Sequence, residues 1–272
     1  MEMNDVLGIE PIGQAGLEVT KAAIKGISSF LELVFKPGLE ELGYFINDKV
    51  RIWRFNNILR TLERAKGKMT FDDNEVKLIA NARVGLSIME ECSEVDDEEL
   101  QELWAGLFVS SCTPDGKDDS NMNFVDLLRR MSSVEARILE YSCRNCRKYI
   151  YPNKLIVADN ILVTFEKLVQ IAGTDDVYRL DCELDHMRSI ELLTQSDPYS
   201  GTGGGFIASD NLLEANITPS PLCLNLYYKT HSTGISPIAF WGDSLIPRTL
   251  KEDEQKAPEE ISKRFVNGAD GK

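Results

Sequence analysis

The sequence lacks the features that most directly mark a membrane, secreted or catalytic protein. No run of about eighteen uncharged apolar residues occurs, so no helix is predicted to span a bilayer. The N-terminal residues have neither a basic stretch nor an apolar core, so no export signal is expected and the predicted location is cytoplasmic. The two histidines, His186 and His231, do not lie near a nucleophile motif such as Gly-x-Ser-x-Gly. We therefore predict that the protein is not an enzyme, has no catalytic residues and uses no cofactor.

Six cysteines are irregularly spaced, which in a chain without an export signal predicts reduced thiols rather than disulfides. Cys143, Cys146, Cys182 and His186 have side chains that suit zinc. The gap between the two pairs is long for a compact finger, and the first pair lacks the usual glycine turn. Ordinary thiols without a metal are therefore the preferred interpretation, and whether these four residues bind zinc stays open.

Charge is strongly segregated along the chain, which holds 30 Lys/Arg against 44 Asp/Glu. Residues 49–68 contain seven basic residues and one acid, whereas residues 71–126 contain fifteen acids and three bases. Neighbouring segments of opposite sign predict helices that pair with each other or present charged faces to a partner. The predicted partner-binding residues are Arg51, Arg54, Arg60, Arg64, Glu94, Asp96, Asp97 and Glu98. Mutual salt bridging or a solvated face explains the same pattern at least as well.

Apolar residues recur at helical spacing through the first half of the chain. They predict two helices at about 17–35 and 39–62. A third helix is predicted to begin at the capping residues Asp72 and Asp73 and to continue through Ile88, and a fourth to begin after the acids Asp96–Glu99. A short fifth helix is predicted at 124–131. Residues 113–123 are turn-formers and predict a loop. This half is predicted to be a helical bundle over residues 15–130, preceded by a flexible arm at 1–14.

The second half has a different pattern. Ser132 and Glu135 form a capping box that begins a helix, and further helices are predicted at 159–171 and 181–193. A glycine-rich stretch follows at 201–205, then short strands near 206–208 and 217, while 222–229 suits either a helix or a strand. Three helices followed by a β-ribbon predict a winged-helix-like α+β domain over residues 131–250, with a mobile charged tail at 251–272.

A winged-helix-like domain raises the alternative of a DNA-binding regulator. The charge of its third helix opposes that alternative, because the helix carries four acids and one base. The base is Arg188, and the acids are Asp181, Glu183, Asp185 and Glu191. A helix that enters the major groove approaches phosphates, so this one would repel DNA. A protein-facing or structural module is therefore preferred, and nucleic acid is not an expected partner.

Residues 17–46 raise a second alternative, a membrane-acting effector. They combine apolar side chains such as Phe30, Phe35 and Phe45 with charges of both signs. Helices that lie on a membrane surface usually carry Lys and Arg on the polar face. A core hairpin whose apolar face packs against the rest of the protein is therefore preferred, and a membrane surface stays an alternative partner.

Several segments together resemble the bacterial abortive-infection alpha family. The resemblance covers about residues 40–230, and its most specific part is Asp96–Phe108, where an acidic run leads to Trp104. The other segments that carry it are 47–55, 127–141, 184–193 and 217–219. The sequence departs from the family where the helix near residue 190 commonly ends in Gly-Leu, because Ser189-Ile190-Glu191 stands here instead.

The resemblance implies a helical bacterial protein for defence against phage, in which infected cells stop growing or die. It brings no catalytic residue and no cofactor. We therefore expect a mostly α fold, with the N-terminal helical bundle followed by the winged-helix-like domain. The expected function is a non-enzymatic anti-phage component that binds a phage or host protein, with homo-oligomerisation as an additional expectation.

Overall fold

The computed structural model describes residues 26–27, 29–35, 52–69, 78–194, 206–209, 212–232 and 234–249. The predicted arm at 1–14, the glycine-rich stretch at 201–205 and the tail at 251–272 lie outside the described residues. The chain divides into two compact units. Unit 1 comprises Met1–Ile138 and Leu226–Ile235, and unit 2 comprises Leu139–Asn225 and Ser236–Lys272. Helices predominate in the described residues, which confirms the mostly α prediction.

Unit 1 is built from helices and one small antiparallel sheet. Residues 29–34 are helical. The further elements are α1 (Ile52–Lys68), β1 (Ile79–Ala80), α2 (Ala82–Cys92), α3 (Glu98–Ser110), β2 (Cys112–Thr113) and α4 (Met122–Arg130). Two more helices contribute part of their length to unit 1. Helix α5 (Ser133–Asn145) contributes its first residues, and helix α8 (Pro221–His231) contributes its last residues. Strands β1 and β2 pair with Ile79 opposite Thr113.

Helix α3 forms the centre of unit 1. Nine of its thirteen residues are buried, from Leu100 to Val109. The rings of Phe30 and Phe35 pack against Phe108, with centroids 6.1 and 6.5 Å from the Phe108 ring. Asp97 caps the helix, because its Oδ1 accepts a hydrogen bond from the Leu100 N–H at 3.0 Å. The predicted acidic start of this helix is therefore confirmed, and its apolar body is the core of the unit.

Unit 2 contains two three-stranded sheets. One has the order β4-β3-β8, where β3 (Lys148–Ile150) pairs antiparallel with β4 (Ile156–Ala158) and parallel with β8 (Leu245–Pro247). The other has the order β5-β7-β6, and its strands are β5 (Ile161–Thr164), β6 (Phe206–Ser209) and β7 (Leu212–Ile217). Helices α6 (Phe165–Ala172) and α7 (Val177–Ser189) follow β5, and the short α9 (Pro237–Trp241) precedes β8.

The capping box at Ser132 and Glu135 is confirmed. The Glu135 carboxylate accepts from the Ser132 N–H at 2.8 Å, and the Ser132 hydroxyl oxygen accepts from the Glu135 N–H at 3.2 Å. The strands predicted near 206–208 and 217 are also confirmed, and 222–229 is helical as part of α8. Local hydrogen bonding thus determines the start of α5 as the sequence predicts.

Several predicted helices have different boundaries in the structure, and the one predicted at 181–193 is α7, Val177–Ser189. The prediction of helix at 159–171 is wrong at its start, because residues 161–164 form β5. Val163 is buried and Leu162 is exposed, the alternation expected of a strand with one buried face. The prediction that Asp72 and Asp73 cap a helix containing Ile79 is also wrong, since Asn81 caps α2 and Ile79 lies in β1. Asp72 and Asp73 lie outside the described residues.

Helix α7 ends without the Gly-Leu that the family resemblance leads one to expect. Glu191 has φ of +62°, a left-handed conformation that favours glycine. The Leu192 N–H donates to the Met187 carbonyl at 2.9 Å, which is the hydrogen bond of a glycine-type helix end. Glutamate at such a position costs roughly 1–2 kcal/mol relative to an unstrained residue. The helix therefore ends at Ser189 as a family glycine would end it.

Candidate functional site

The basic helix α1 and the acidic helix α3 pair with each other inside unit 1. Glu102 on α3 accepts ion pairs from Arg64, at 3.7 Å, and from Lys68. Arg54 Nη2 lies 3.2 Å from Glu94 Oε1, and Arg54 Nε donates to the Ser93 hydroxyl at 2.9 Å. Each exposed pair stabilises by only about 0.2–1 kcal/mol. The pairing alternative therefore accounts for part of the segregated charge.

The predicted partner-binding residues do not all have the same surroundings. Asp97 caps α3 and lies 3.7 Å from Arg137. Arg60, Asp96 and Glu98 are exposed, and none of them makes an ion pair with another of the described residues. Arg51 lies outside the described residues. The structure thus brings Arg54 and Glu94 together and leaves three charges directed to solvent.

A cleft of about 500 Å³ lies beside Glu94 in unit 1. Helices α2, α3 and α4 supply most of its walls. Three carboxylates line it, those of Glu90, Glu91 and Glu94, together with Arg129. The remaining lining side chains are apolar or aromatic: Val95, Leu100, Trp104, Leu128 and Met131. The apolar side chains Leu100, Trp104, Leu128 and Met131 are almost fully buried, so the accessible lining of the cleft is more polar than apolar.

Trp104, a lining residue of the cleft, has a buried indole N–H without a hydrogen-bond acceptor in the described part of the chain. The side chain is 1% exposed, and its indole Nε1 has no acceptor among the described residues. A buried donor without a partner costs about 1–3 kcal/mol.

Glu91 has an unfavourable electrostatic position in the cleft. Burial raises the pKa of its carboxyl above the usual value, Arg129 acts in the opposite direction, and Glu90, Glu94 and Asp126 raise it further. Arg129 offsets this only in part, since its Nε lies 3.9 Å from Glu91 Oε1 while its Nη2 lies 3.5 Å from Asp126. The cleft therefore holds more negative charge than its own cation neutralises.

Glu91→Gln is expected to stabilise the protein at neutral pH. Because the pKa of the Glu91 carboxyl is raised in the folded state, the ionised carboxylate lowers the stability of the folded protein at pH values above that pKa. Below the unfolded-state pKa the carboxyl is protonated in both states, so this penalty disappears. The midpoint of thermal unfolding should therefore rise at pH 7, and the difference from the wild type should shrink as pH falls below the usual glutamate pKa. Thermal unfolding across pH tests this, with Glu183→Gln in unit 2 as the control. A variant less stable at pH 7 would contradict the burial argument.

The remaining cysteines and histidines do not form a metal cluster. Among the described residues, no three His, Cys, Asp or Glu side chains converge to hold a metal ion. Cys143 instead lies against Cys223, with the two sulfurs 3.6 Å apart. Burial raises the pKa of the Cys143 thiol well above its usual value and that of Cys146 to about 11. Cys182 is exposed on α7.

Sequence reasoning included Glu94 among the contact residues but missed the cleft. Trp104 entered the sequence analysis only through the family resemblance, and Arg129 was not among the predicted contact residues. The missing information is the packing of α2, α3 and α4, which brings residues 90 to 131 to one place. In the sequence, the local signal of the cleft is a tryptophan that lies close to many acidic residues.

Comparison with known proteins gives one family. The family model for abortive infection alpha matches residues 55–214, which is more than half of the chain. Neither a curated protein nor a solved structure matches. The match includes α2, α3 and α4, and therefore the whole of the acidic cleft, and it confirms the resemblance drawn from the Asp96–Phe108 block. The chain belongs to the abortive infection alpha family.

Proposed function

We propose that the protein acts in abortive infection by binding a phage or host protein at the acidic cleft, without catalysing a reaction itself. Family membership supports the role in abortive infection. The cleft supports the binding, because three carboxylates and Arg129 line a concave surface above buried apolar side chains. That combination is the observation on which the proposal rests. It extends the charged-helix prediction from Glu94 to a concave surface beside it.

The order of elements in the second half supports a winged-helix-like arrangement. Helix α5 is followed by β3 and β4, then by β5, α6, α7 and the β6–β7 ribbon, with β7 between β5 and β6 in the sheet. Apart from β3 and β4, which belong to the other sheet, this is the order of three helices and a wing. We therefore propose that this part of the chain is a winged-helix-like module.

The charges on α7 support a protein-facing role for that module rather than DNA binding. Arg179 pairs with Glu183 at 3.4 Å, and Arg188 pairs with Asp185 at 3.2 Å while also donating to the Asn216 carbonyl. Both bases are thus engaged by neighbouring groups. Tyr178 is 85% exposed at the start of the same helix. Aromatic side chains are enriched at protein interfaces, whereas a helix that binds DNA needs basic residues directed to phosphates.

The membrane alternative has less support. Phe30, Leu31, Val34 and Phe35 are buried in unit 1, so this part of the apolar face packs against protein. The rest of the 17–46 segment, Phe45 included, lies outside the described residues. Among the helices that the structure describes, none is long and apolar enough to cross a membrane.

The test is site-specific photocrosslinking in cells before and after phage infection. A benzophenone amino acid replaces Glu90, which is exposed and lines the cleft. Lys117, exposed on the loop between β2 and α4, is the control position. We expect a discrete adduct with one phage or host protein at position 90 and none at 117. An adduct of two copies of this chain would reassign the partner as a homo-oligomer. Protection against phage without any adduct at position 90 would refute docking at the cleft.

A further inference from the structure

We infer that Cys143 and Cys223 are a redox-sensitive pair, which hydrogen peroxide converts to a disulfide and a small thiol returns to two free cysteines. Cys143 lies on α5 and Cys223 on α8, and both residues belong to unit 2. Both are free thiols in the structure, which is therefore the reduced state of the pair. This switch does not depend on the acidic cleft in unit 1 or on the proposed partner.

The two sulfur atoms already face each other. They lie 3.6 Å apart, and a disulfide bond is about 2.0 Å long, so they must approach by about 1.6 Å. The Cys143 sulfur also lies 4.0 Å from the Cys223 carbonyl oxygen. A sulfur that is oxidised at either position therefore has a second thiol as its neighbour.

Cys92 and Cys112 in unit 1 are also buried, but they have different neighbours. Their thiols donate to the carbonyls of Met89 and Phe108, at 3.6 and 3.4 Å. Packing of a thiol in the core therefore does not require a second sulfur in this protein. We expect these two cysteines to stay reduced under conditions in which the unit 2 pair is oxidised.

Lys148 supplies a positive charge near the pair. Its side chain is buried, its Nζ donates to the Cys146 carbonyl at 3.0 Å, and the same atom lies 4.5 Å from the centroid of the Trp241 ring. Burial and Cys223 raise the pKa of the Cys143 thiol, whereas the Lys148 ammonium group lowers it. The thiolate is the form of cysteine that reacts with peroxide, and a nearby cation favours it. Cys143 is therefore the thiol that reacts first.

Oxidation takes two displacement steps. The Cys143 thiolate attacks one oxygen of hydrogen peroxide, the O–O bond breaks, and the hydroxide that leaves takes up the proton lost by the thiol. The product at Cys143 is a sulfenic acid. The Cys223 thiol attacks that sulfur, the S–S bond forms, and the S–O bond breaks as the hydroxyl group leaves with the Cys223 proton as water. The two cysteines lose two electrons and two protons, and one peroxide becomes two waters.

The disulfide would tie α5 to α8 within unit 2. The two cysteines are 80 positions apart in sequence, so the cross-link closes a long loop and restricts the unfolded chain. We expect the midpoint of thermal unfolding to rise by about 5–10 °C on oxidation. Both side chains are fully buried, so peroxide, a molecule little larger than water, reaches them when unit 2 opens locally.

Peptide mapping of the full-length protein provides the test. The protein is incubated with hydrogen peroxide, unfolded in iodoacetamide and digested with trypsin in the absence of reductant. Cleavage after Arg144 separates Cys143 from Cys146, so the linked peptide identifies its own cysteine. We expect a peptide that joins Cys143 to Cys223 and that dithiothreitol removes. Exposed Cys182 reports that the peroxide has acted. Free Cys143 and Cys223 at a peroxide concentration that oxidises Cys182, or a bond from Cys143 to a different cysteine, would overturn the inference.

Variants separate the pair from other effects of peroxide. Cys223→Ala should lose both the linked peptide and the rise in melting temperature, whereas Cys182→Ala should keep both. If Cys223→Ala does not fold, the peptide map of the wild type decides alone. The same rise in melting temperature in folded Cys223→Ala would show that a different group responds to peroxide, against the assignment.

The role of Lys148 has its own test. Lys148→Met keeps most of the side-chain length and removes the charge, so disulfide formation should become several-fold slower, as followed by the linked peptide over time. The matched control is Lys154→Met, because Lys154 is exposed in the turn between β3 and β4 and its loss should leave the rate unchanged. An unchanged rate in folded Lys148→Met would refute the part assigned to Lys148.

Discussion

Gly106→Ala is expected to prevent unit 1 from adopting its native packing. A Cβ atom at position 106 would lie 1.6 Å from the Thr230 carbonyl oxygen and 2.4 Å from its carbonyl carbon. Both atoms belong to the backbone of α8, so no side-chain rotation relieves the contact. The Thr230 hydroxyl donates to the Leu226 and Tyr227 carbonyls, which are part of the same helix. Separating the helices would expose the buried face of α3, so the expected cost exceeds about 3 kcal/mol.

The matched control is Gly67→Ala. Gly67 lies in the last turn of α1, and a Cβ there meets nothing within 4 Å. Alanine should stabilise this helix by about 0.5–1 kcal/mol. Urea unfolding followed by the fluorescence of buried Trp104 measures both variants. A Gly106→Ala protein that unfolds at the wild-type urea concentration would show that α3 and α8 are further apart than the structure places them.

Elements that begin with local hydrogen bonds were predictable from the sequence. Asp97 and the Ser132–Glu135 pair satisfy backbone N–H groups within three residues, so their effect is readable without the fold. Helix α3 also has a long apolar body after its cap, which gives a strong periodic pattern. The family resemblance drew its most specific part from this block, and Gly106 within it is required by the close approach of Thr230.

Elements that depend on distant partners were not predictable. Residues 161–164 form a strand because β7 lies beside them, more than fifty residues later in the chain. Ile79 and Ala80 leave the helical pattern because Thr113 and Cys112 pair with them. A helical period and a short apolar strand look alike over four residues, so only the tertiary partner decides between them.

The candidate site also has one part that the sequence predicts and another that depends on contacts between distant segments. The sequence identified two charged segments, but their pairing through Arg54, Arg64 and Glu102 follows from the packing of α1 on α3. The cleft adds Trp104 and Arg129, which lie on helices that the sequence does not place side by side. The charge pattern therefore located one wall of the cleft, and the residues of the other walls required the structure.

Phe30→Glu is expected to destabilise unit 1 severely, and it separates the core interpretation from the membrane alternative. The side chain is 3% exposed, with its ring centroid 6.1 Å from that of Phe108. Removing a buried phenylalanine costs about 3–5 kcal/mol, and enclosing a carboxylate adds to that cost. The sum approaches the whole stability of a typical domain, about 5–15 kcal/mol. We therefore expect a large loss of thermal stability or insoluble protein.

Ser29→Glu provides the matched control, because Ser29 is the exposed neighbour of Phe30 in the same helical segment. Its stability should change by no more than about 1 kcal/mol, as for most surface substitutions. Circular dichroism with thermal melting, followed by sedimentation with anionic vesicles, measures stability and membrane association in one set of samples. A helix whose apolar face enters a membrane would give the opposite result: Phe30→Glu would stay folded with an unchanged melting temperature, and only its vesicle binding would fall. Because Phe108 contacts both Phe30 and Phe35 in the core of unit 1, loss of stability is the outcome that the packing requires.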